Sequence, residues 1–148
     1  RVDRRQRQMC IRDSKGGFLD DFYTKRELSN ILKLNRKIVS NEILSKIVGQ
    51  HWFYNYLKPC NRLSDKTLIT FYDDGDYYKP HTDSAMVTAI TYHWTEPKSF
   101  EGGELYFGNY LVPIENNCLL IFPSCTEHEV KPVKGRGRYA LTQFVNYC

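Results

Sequence analysis

The sequence has no apolar run approaching the roughly 20 residues that a membrane-spanning helix requires, so no membrane partner is expected. Its five cysteines include no C-x-x-C pair, which argues against a zinc knuckle or a thioredoxin-type redox motif. No internal repeat or low-complexity stretch follows residue 14, which argues against a solenoid or a disordered chain. With 148 residues, of which 41% are hydrophobic and 26% charged, the chain has the length and composition of one globular domain.

Outside its first 14 residues, the sequence also lacks a large excess of charge of one sign. The formal net charge is +4, from 21 Lys plus Arg against 17 Asp plus Glu. Residues 1–14 alone carry +3, so that residues 15–148 are close to neutral at +1. No long basic stripe remains in that larger part, and a nucleic-acid partner is therefore not expected.

The basic segment itself has an unusual composition. Arg4–Ser14 matches, over eleven consecutive codons, the translation of a transposase adapter used in sequencing libraries. A basic arm is the alternative interpretation. We interpret residues 1–14 as an adapter scar that is not part of the fold, and residues 15–148 as a single domain whose natural N-terminus is not known. The four remaining cysteines are expected to be buried, unpaired thiols, which favours a reducing compartment and predicts the cytoplasm.

The rest of the chain has a helical pattern in its first part and a β-strand pattern in its second. Residues 18–57 have the apolar spacing of helices, with a capping box at Thr24 and Glu27 and a second helix that begins near Asn41. From Leu68 onward the pattern is that of β-strands. The predicted strands are Leu68–Tyr72, Val87–Trp94, Glu104–Phe107, Leu119–Phe122 and Tyr139–Tyr147. This order predicts a mainly β (α+β) fold, an antiparallel sandwich or barrel with the N-terminal helices packed on one sheet.

A small group of polar residues suggests metal chemistry. His81 and Asp83 are two apart, so in a strand their side chains face the same side. His128 follows a different predicted strand, and two histidines with one carboxylate form the facial triad of non-haem iron sites. Arg138, after a Gly-rich turn, could bind a carboxylate with its forked guanidinium. Tyr72, Tyr78 and Tyr92 flank the same strands and can offer hydroxyl groups.

In their order, these residues and their flanking motifs resemble the Fe(II)- and 2-oxoglutarate-dependent dioxygenases, and in particular the prolyl 4-hydroxylase-like branch. The motifs are Tyr72-x-x-Gly75-x-x-Tyr78-x-x-His81-x-Asp83, Gly102-Gly103-Glu104-Leu105, Phe122-Pro123, His128-Glu129-Val130, Pro132-Val133 and Arg138-Tyr139-Ala140-Leu141-Thr142. The resemblance runs from about Phe18 to the C-terminus. It implies a double-stranded β-helix, the cupin-like jelly-roll barrel, backed by N-terminal helices.

The resemblance also implies roles for single residues. His81, Asp83 and His128 would bind Fe(II) and are the predicted catalytic centre. Arg138 and Tyr92 would hold the distal carboxylate of 2-oxoglutarate, and Tyr72 would lie near the iron. Arg136 is the alternative if the turn shifts register, and Phe144 shares strand parity with Arg138 and is expected to wall the pocket. His93 should point to the opposite face of its strand and could replace a ligand only after a register slip.

The implied reaction is hydroxylation of an aliphatic carbon, with O2 and 2-oxoglutarate consumed, succinate and CO2 released, and ascorbate as a reductant. The substrate stays open: a prolyl or other amino-acid residue, a free amino acid and a small metabolite all fit the sequence. The alternative function is a non-catalytic jelly-roll module that keeps the iron and 2-oxoglutarate pocket for binding. The oligomeric state is also left open.

Overall fold

The computed structural model describes residues 14–57 and 63–147, so the segment interpreted as an adapter scar lies outside the described residues apart from Ser14. Three short α-helices lie between the first and second strands: α1 (Leu19–Phe22), α2 (Asn30–Arg36) and α3 (Asn41–Ile47), with 3-10 turns at Arg26–Leu28, Lys37–Val39 and Trp52–Leu57. None of the described helices is long and apolar enough to cross a membrane.

The strands make up the larger part of the described chain. They are β1 (Lys15–Phe18), β2 (Leu63–Tyr72), β3 (Tyr78–His81), β4 (Val87–His93), β5 (Phe100–Gly102), β6 (Leu105–Phe107), β7 (Tyr110–Val112), β8 (Leu119–Pro123), β9 (His128–Val130), β10 (Val133–Gly135) and β11 (Arg138–Tyr147). A major sheet has the order β1-β2-β11-β4-β8, a minor sheet the order β3-β9-β6-β7, and β10 pairs with β5. The pairings within these sheets are antiparallel.

The core lies between the major and minor sheets. Ile90 and Tyr92 of the major sheet pack in one buried cluster with Leu105, Val112 and Val130 of the minor sheet. The residues of β11 alternate between two faces: Arg138, Ala140, Thr142 and Phe144 line the interior, whereas Val145 faces the helices. This two-layer arrangement places inward-facing side chains of β2, β4 and β11 opposite those of β3 and β9.

The helices cover the outer face of the major sheet. Leu44 of α3 packs against Val87 and Val145, with Ile47 and Phe53 at the margin of the same cluster. Because β4 is therefore covered on both faces, residues 87–90 are all buried and the strand shows no alternation of buried and exposed residues. The predicted mainly β fold with N-terminal helices on one sheet is confirmed.

Two local predictions were wrong. The capping box at Thr24 does not begin a helix; α2 starts later, and its N-cap is Ser29, whose hydroxyl accepts a hydrogen bond from the Leu32 amide at 3.3 Å. On α2 Leu32 and Asn35 are buried, whereas Leu34 is 61% exposed because residues two apart lie on opposite sides of a helix. Of the described cysteines, Cys118 is half-buried and unpaired as expected, but Cys125 is exposed.

Candidate active site

The three predicted metal ligands lie together at the pairing of two short strands. His81 ends β3 and His128 begins β9, and the two residues are direct partners across that strand pair, with ring centroids 4.2 Å apart. Asp83 follows two residues after His81; its Oδ1 is 3.7 Å from His81 Nε2 and its Oδ2 is 3.6 Å from His128 Nε2. One possible ligand atom from each residue lies within 4.8 Å of the others, a spacing that one metal ion can bridge.

Backbone carbonyls fix the tautomer of both histidines. His81 Nδ1 lies 2.7 Å from the carbonyl oxygen of Lys79, and His128 Nδ1 lies 3.0 Å from that of Thr126. A carbonyl oxygen only accepts, so each Nδ1 carries the proton and each Nε2 keeps a free lone pair. Burial, together with the repulsion that would arise if both imidazoles were protonated, lowers the pKa of His81 and favours its neutral form.

The result is a cluster of acceptor atoms. Two Nε2 lone pairs and the Asp83 carboxylate face one another, and His81 Nε2 is buried without a hydrogen-bond partner in the described part of the chain. Acceptors that face acceptors repel unless a cation lies between them. The donor set of two imidazoles and one carboxylate, with side chains 9% exposed or less, therefore fits a divalent transition metal such as Fe(II).

Arg138 is a buried cation at the start of β11, 0% exposed. Its guanidinium carbon lies 4.4 Å from the centre of the Tyr72 ring and 5.1 Å from that of Tyr92. Its Nε, Nη1 and Nη2 atoms have no hydrogen-bond partner among residues 14–57 and 63–147. A buried charge without such partners is costly, and the forked donors match a carboxylate in geometry and sign.

Tyr92 adds a further donor beside this cation. Its hydroxyl is buried and, within the described residues, has no hydrogen-bond partner. Burial raises the pKa of Tyr92, so the phenol stays protonated and can donate to an anion. Arg138 and Tyr92 together therefore fit the distal carboxylate of a dicarboxylic acid such as 2-oxoglutarate.

One cavity joins the two groups. Its lining includes His81, Asp83, His128, Tyr72, Tyr92 and Arg138, which are the six site residues predicted from the sequence. Phe144 also lines it, as strand parity predicted. Arg136 does not; it is exposed and pairs with Asp73 at the surface, because the turn keeps the register in which Arg138 points inward.

Two features of the site had no strong signal in the sequence. The ring of Tyr78 lies against His81, with centroids 3.7 Å apart, and restricts the orientation of that imidazole. Gly103 lies against Arg138: a Cβ at this position would be 2.9 Å from Arg138 Cδ. The sequence marked Gly103 only as part of a turn motif, since a close approach between distant residues leaves no local pattern.

Comparison with known proteins agrees with this geometry. The model of the 2OG-Fe(II) oxygenase superfamily matches residues 67–146, which is more than half of the chain and includes every ligand candidate. The chain belongs to the 2OG-Fe(II) oxygenase superfamily. The predicted oxygenase identity is thereby confirmed, as are the cofactors that the family uses, Fe(II), 2-oxoglutarate and O2.

Individual relatives point to the same branch. A PKHD-type hydroxylase from Maricaulis maris is 24% identical over 88% of this chain and 67% of its own length. The viral collagen prolyl hydroxylase of Paramecium bursaria Chlorella virus-1, in its 2OG complex, superposes with a TM-score of 0.64 at 18% identity, over 93% of this chain and 81% of that one. The resemblance to the prolyl 4-hydroxylase-like branch and the double-stranded β-helix are thus confirmed. The chain spans about two thirds of the length of the curated relatives.

A second similar structure carries a bound peptide. It is a prolyl hydroxylase from Trichoplax adhaerens in complex with a peptide fragment of the hypoxia inducible factor oxygen degradation domain. It superposes with a TM-score of 0.59 at 24% identity and covers 93% of this chain and 64% of its own. The superposition extends the agreement in fold to a protein with a bound peptide.

Gly103→Ala is expected to weaken 2-oxoglutarate binding by about 10- to 100-fold, because a displacement of order 1 Å at a positioned group has that effect. The new methyl group would meet Arg138 Cδ and Val133 Cγ2, each at 2.9 Å, and force the guanidinium to move. The backbone at Gly103 also has φ +70°, which costs a residue with a side chain about 1–2 kcal/mol. Calorimetric titration with 2-oxoglutarate measures the effect on binding.

Gly108→Ala is the matched control for that measurement. Gly108 has φ +55°, and a Cβ there would have no neighbour within 4 Å. This variant therefore bears the backbone cost without the contact, and we expect 2-oxoglutarate to bind it as it binds the parent. Equal affinity in the Gly103→Ala and Gly108→Ala variants would show that Gly103 does not position Arg138.

Proposed function

We propose that this chain is an Fe(II)- and 2-oxoglutarate-dependent dioxygenase that hydroxylates an aliphatic carbon of a prolyl or other amino-acid residue in a peptide, with release of succinate and CO2. The observation that carries the proposal is a single cavity in which a triad of acceptor groups lies near a buried arginine whose nitrogens have no hydrogen-bond partner among the described residues. In that cavity the acceptor atoms of the triad require a cation and Arg138 requires an anion. The Fe(II) and the 2-oxoglutarate used by this family supply both.

Each residue has a defined part in the proposed reaction. His81, Asp83 and His128 would hold Fe(II), and their three donors leave further coordination positions open. Arg138 and Tyr92 would bind the distal carboxylate of 2-oxoglutarate, and Tyr72 would support the guanidinium from its ring face. Bound iron, 2-oxoglutarate and O2 supply the oxidising power, whereas the protein orients the reactants and excludes water.

A wider groove supports a peptide as the substrate. It shares His81, Asp83 and Phe144 with the inner cavity and is also lined by β1 and α1. Phe22 is 75% exposed at this groove, and Gly17 presents backbone without a side chain. An extended chain could lie there with one carbon above the triad, and the similar prolyl hydroxylase from Trichoplax adhaerens is in complex with a peptide fragment. The short connection between β3 and β4 leaves the groove accessible.

The test is succinate formation with Fe(II), 2-oxoglutarate and a panel of proline peptides and free amino acids, comparing the parent with His81→Ala. We expect the variant to lose activity by about 100-fold or more, because even changes behind metal ligands typically cost 10- to 100-fold. His93→Ala is the matched control, since His93 follows Tyr92 on the same strand and does not line the cavity. Equal turnover by parent and His81→Ala would refute the proposal.

We also propose that residues 15–148 form the oxygenase domain, that residues 1–14 are foreign to it, and that it works in the cytoplasm. The neutral charge of residues 15–148 and the adapter match support the second point. Sequencing the gene from an adapter-free sample tests it: recovery of Arg4–Ser14 in that gene would show that the segment is native. Use of ascorbate as reductant stays a prediction.

A further inference from the structure

Two buried hydroxyl groups lie directly behind the Asp83 carboxylate. Thr88, near the start of β4, places its Oγ1 2.6 Å from Asp83 Oδ2, and the Oγ of Ser124 lies 2.8 Å from the same threonine oxygen. Thr88 and Ser124 are both 0% exposed. Ser124 follows β8, the strand that pairs with β4, so the two residues are brought together by the sheet and not by the local sequence.

The direction of these hydrogen bonds follows from counting protons. A carboxylate only accepts, so Thr88 must donate its single hydroxyl proton to Asp83. Thr88 then has no proton left for Ser124, and Ser124 must be the donor in the second bond. The Ser124 carbonyl in turn accepts from the Asp83 amide at 2.9 Å. Asp83 is therefore held at its carboxylate and at its backbone by the same pair of residues.

We infer that Thr88 is a positioning residue for the metal site, and that Ser124, which donates to Thr88, is the outer and dispensable member of a directed hydroxyl relay. Asp83 lies in the connection between β3 and β4, where the backbone alone does not fix its χ angles. The short bond from Thr88 holds one carboxylate oxygen and so restricts rotation of the group that faces His81 and His128. This inference rests on the proposed iron site.

The test is the affinity for Mn²⁺, used as a redox-inert substitute for Fe(II) and measured by calorimetry in the absence of 2-oxoglutarate. Thr88→Val keeps the shape and removes the donor, and we expect Mn²⁺ to bind about 10- to 100-fold more weakly. Thr88→Ser keeps the donor and should stay within about 3-fold of the parent. Ser124→Ala should lose little, because Thr88 still has its proton for Asp83 and the Ser124 carbonyl is unchanged.

The outcomes distinguish a failure of the proposed iron site from a failure of the proposed role of Thr88. If the parent does not bind Mn²⁺, the proposed iron site is wrong, whatever the variants do. If the parent binds and Thr88→Val binds equally well, the role of Thr88 is wrong. A loss in Ser124→Ala as large as that in Thr88→Val would overturn the direction of the relay. If circular dichroism shows that Thr88→Val is unfolded, Thr88→Ser and Thr88→Ala give the same comparison, since they differ only in the hydroxyl group.

Discussion

Arg138→Met is expected to remove 2-oxoglutarate binding and, at the same time, to stabilise the cosubstrate-free protein. The guanidinium is fully buried, and its three nitrogens have no hydrogen-bond partner in residues 14–57 and 63–147. The aromatic rings of Tyr72 and Tyr92 compensate the charge in part. Methionine has a similar length and no charge, and replacing buried ionic groups by apolar residues of similar volume often stabilises a protein by about 1–4 kcal/mol.

The loss of binding should be the larger effect. Removing one partner of a buried, hydrogen-bonded charge pair costs about 2–5 kcal/mol, which is about 30- to 5,000-fold in affinity. The parent should also gain about 2.7 kcal/mol of stability from 2-oxoglutarate at 100 times its dissociation constant, whereas the variant should gain almost none. Urea unfolding with and without 2-oxoglutarate measures both quantities on the same samples.

Arg136→Met is the matched control for Arg138→Met. Arg136 is two residues earlier, exposed, and paired with Asp73 at the surface. Its replacement should change neither the affinity for 2-oxoglutarate nor the response of stability to it. Two results would contradict this prediction. One is that Arg138→Met binds 2-oxoglutarate like the parent; the other is that, in the absence of 2-oxoglutarate, the variant is less stable than the parent.

The part of the fold that could be predicted consists of long strands with strong patterns. β2, β4 and β11 are rich in β-branched and aromatic residues, and the predicted segments fall within one or two residues of their ends in β4 and β8. Of the short strands, β6 was predicted as Glu104–Phe107, whereas β1, β3, β5, β7, β9 and β10 were not predicted. β1 contains Gly16 and Gly17, and β3 contains Pro80, residues that disfavour strands locally and are held there by pairing with β2 and β9.

The candidate site also contains residues that could be predicted from the sequence and residues that could not. The triad and Arg138 could be named because their residue types and order are chemically specific. The residues behind them could not, because a threonine in a strand is common and nothing local marks Thr88 as the donor to Asp83. The carbonyls of Lys79 and Thr126 that orient the histidines belong to the backbone, and any residue could supply them.

A buried ionic network joins the helical layer to the major sheet, and the sequence offered no sign of it. Asp65 of β2 has a side chain only 1% exposed and accepts from Arg26 Nη2 at 2.6 Å, from Gln143 Nε2 at 2.8 Å and from Arg36. Arg26 also binds Asp20 of α1, whose other oxygen accepts from the Thr67 amide. One carboxylate thus connects the 3-10 turn before α2, α2 itself, and two central strands.

Asp65→Ala is expected to destabilise the protein by about 3 kcal/mol, the lower part of the range for breaking a buried ion pair, because both arginines keep some contact with water. The loss should appear as a lower urea midpoint. At temperatures where the variant is folded, 2-oxoglutarate affinity should be unchanged, since Asp65 does not line the inner cavity.

Asp73→Ala is the control for Asp65→Ala. Asp73 also pairs with two cations, Lys15 and Arg136, but these are largely exposed, so its removal should destabilise the protein much less. Equal destabilisation by the two variants would show that burial adds nothing to the contribution of the Asp65 network.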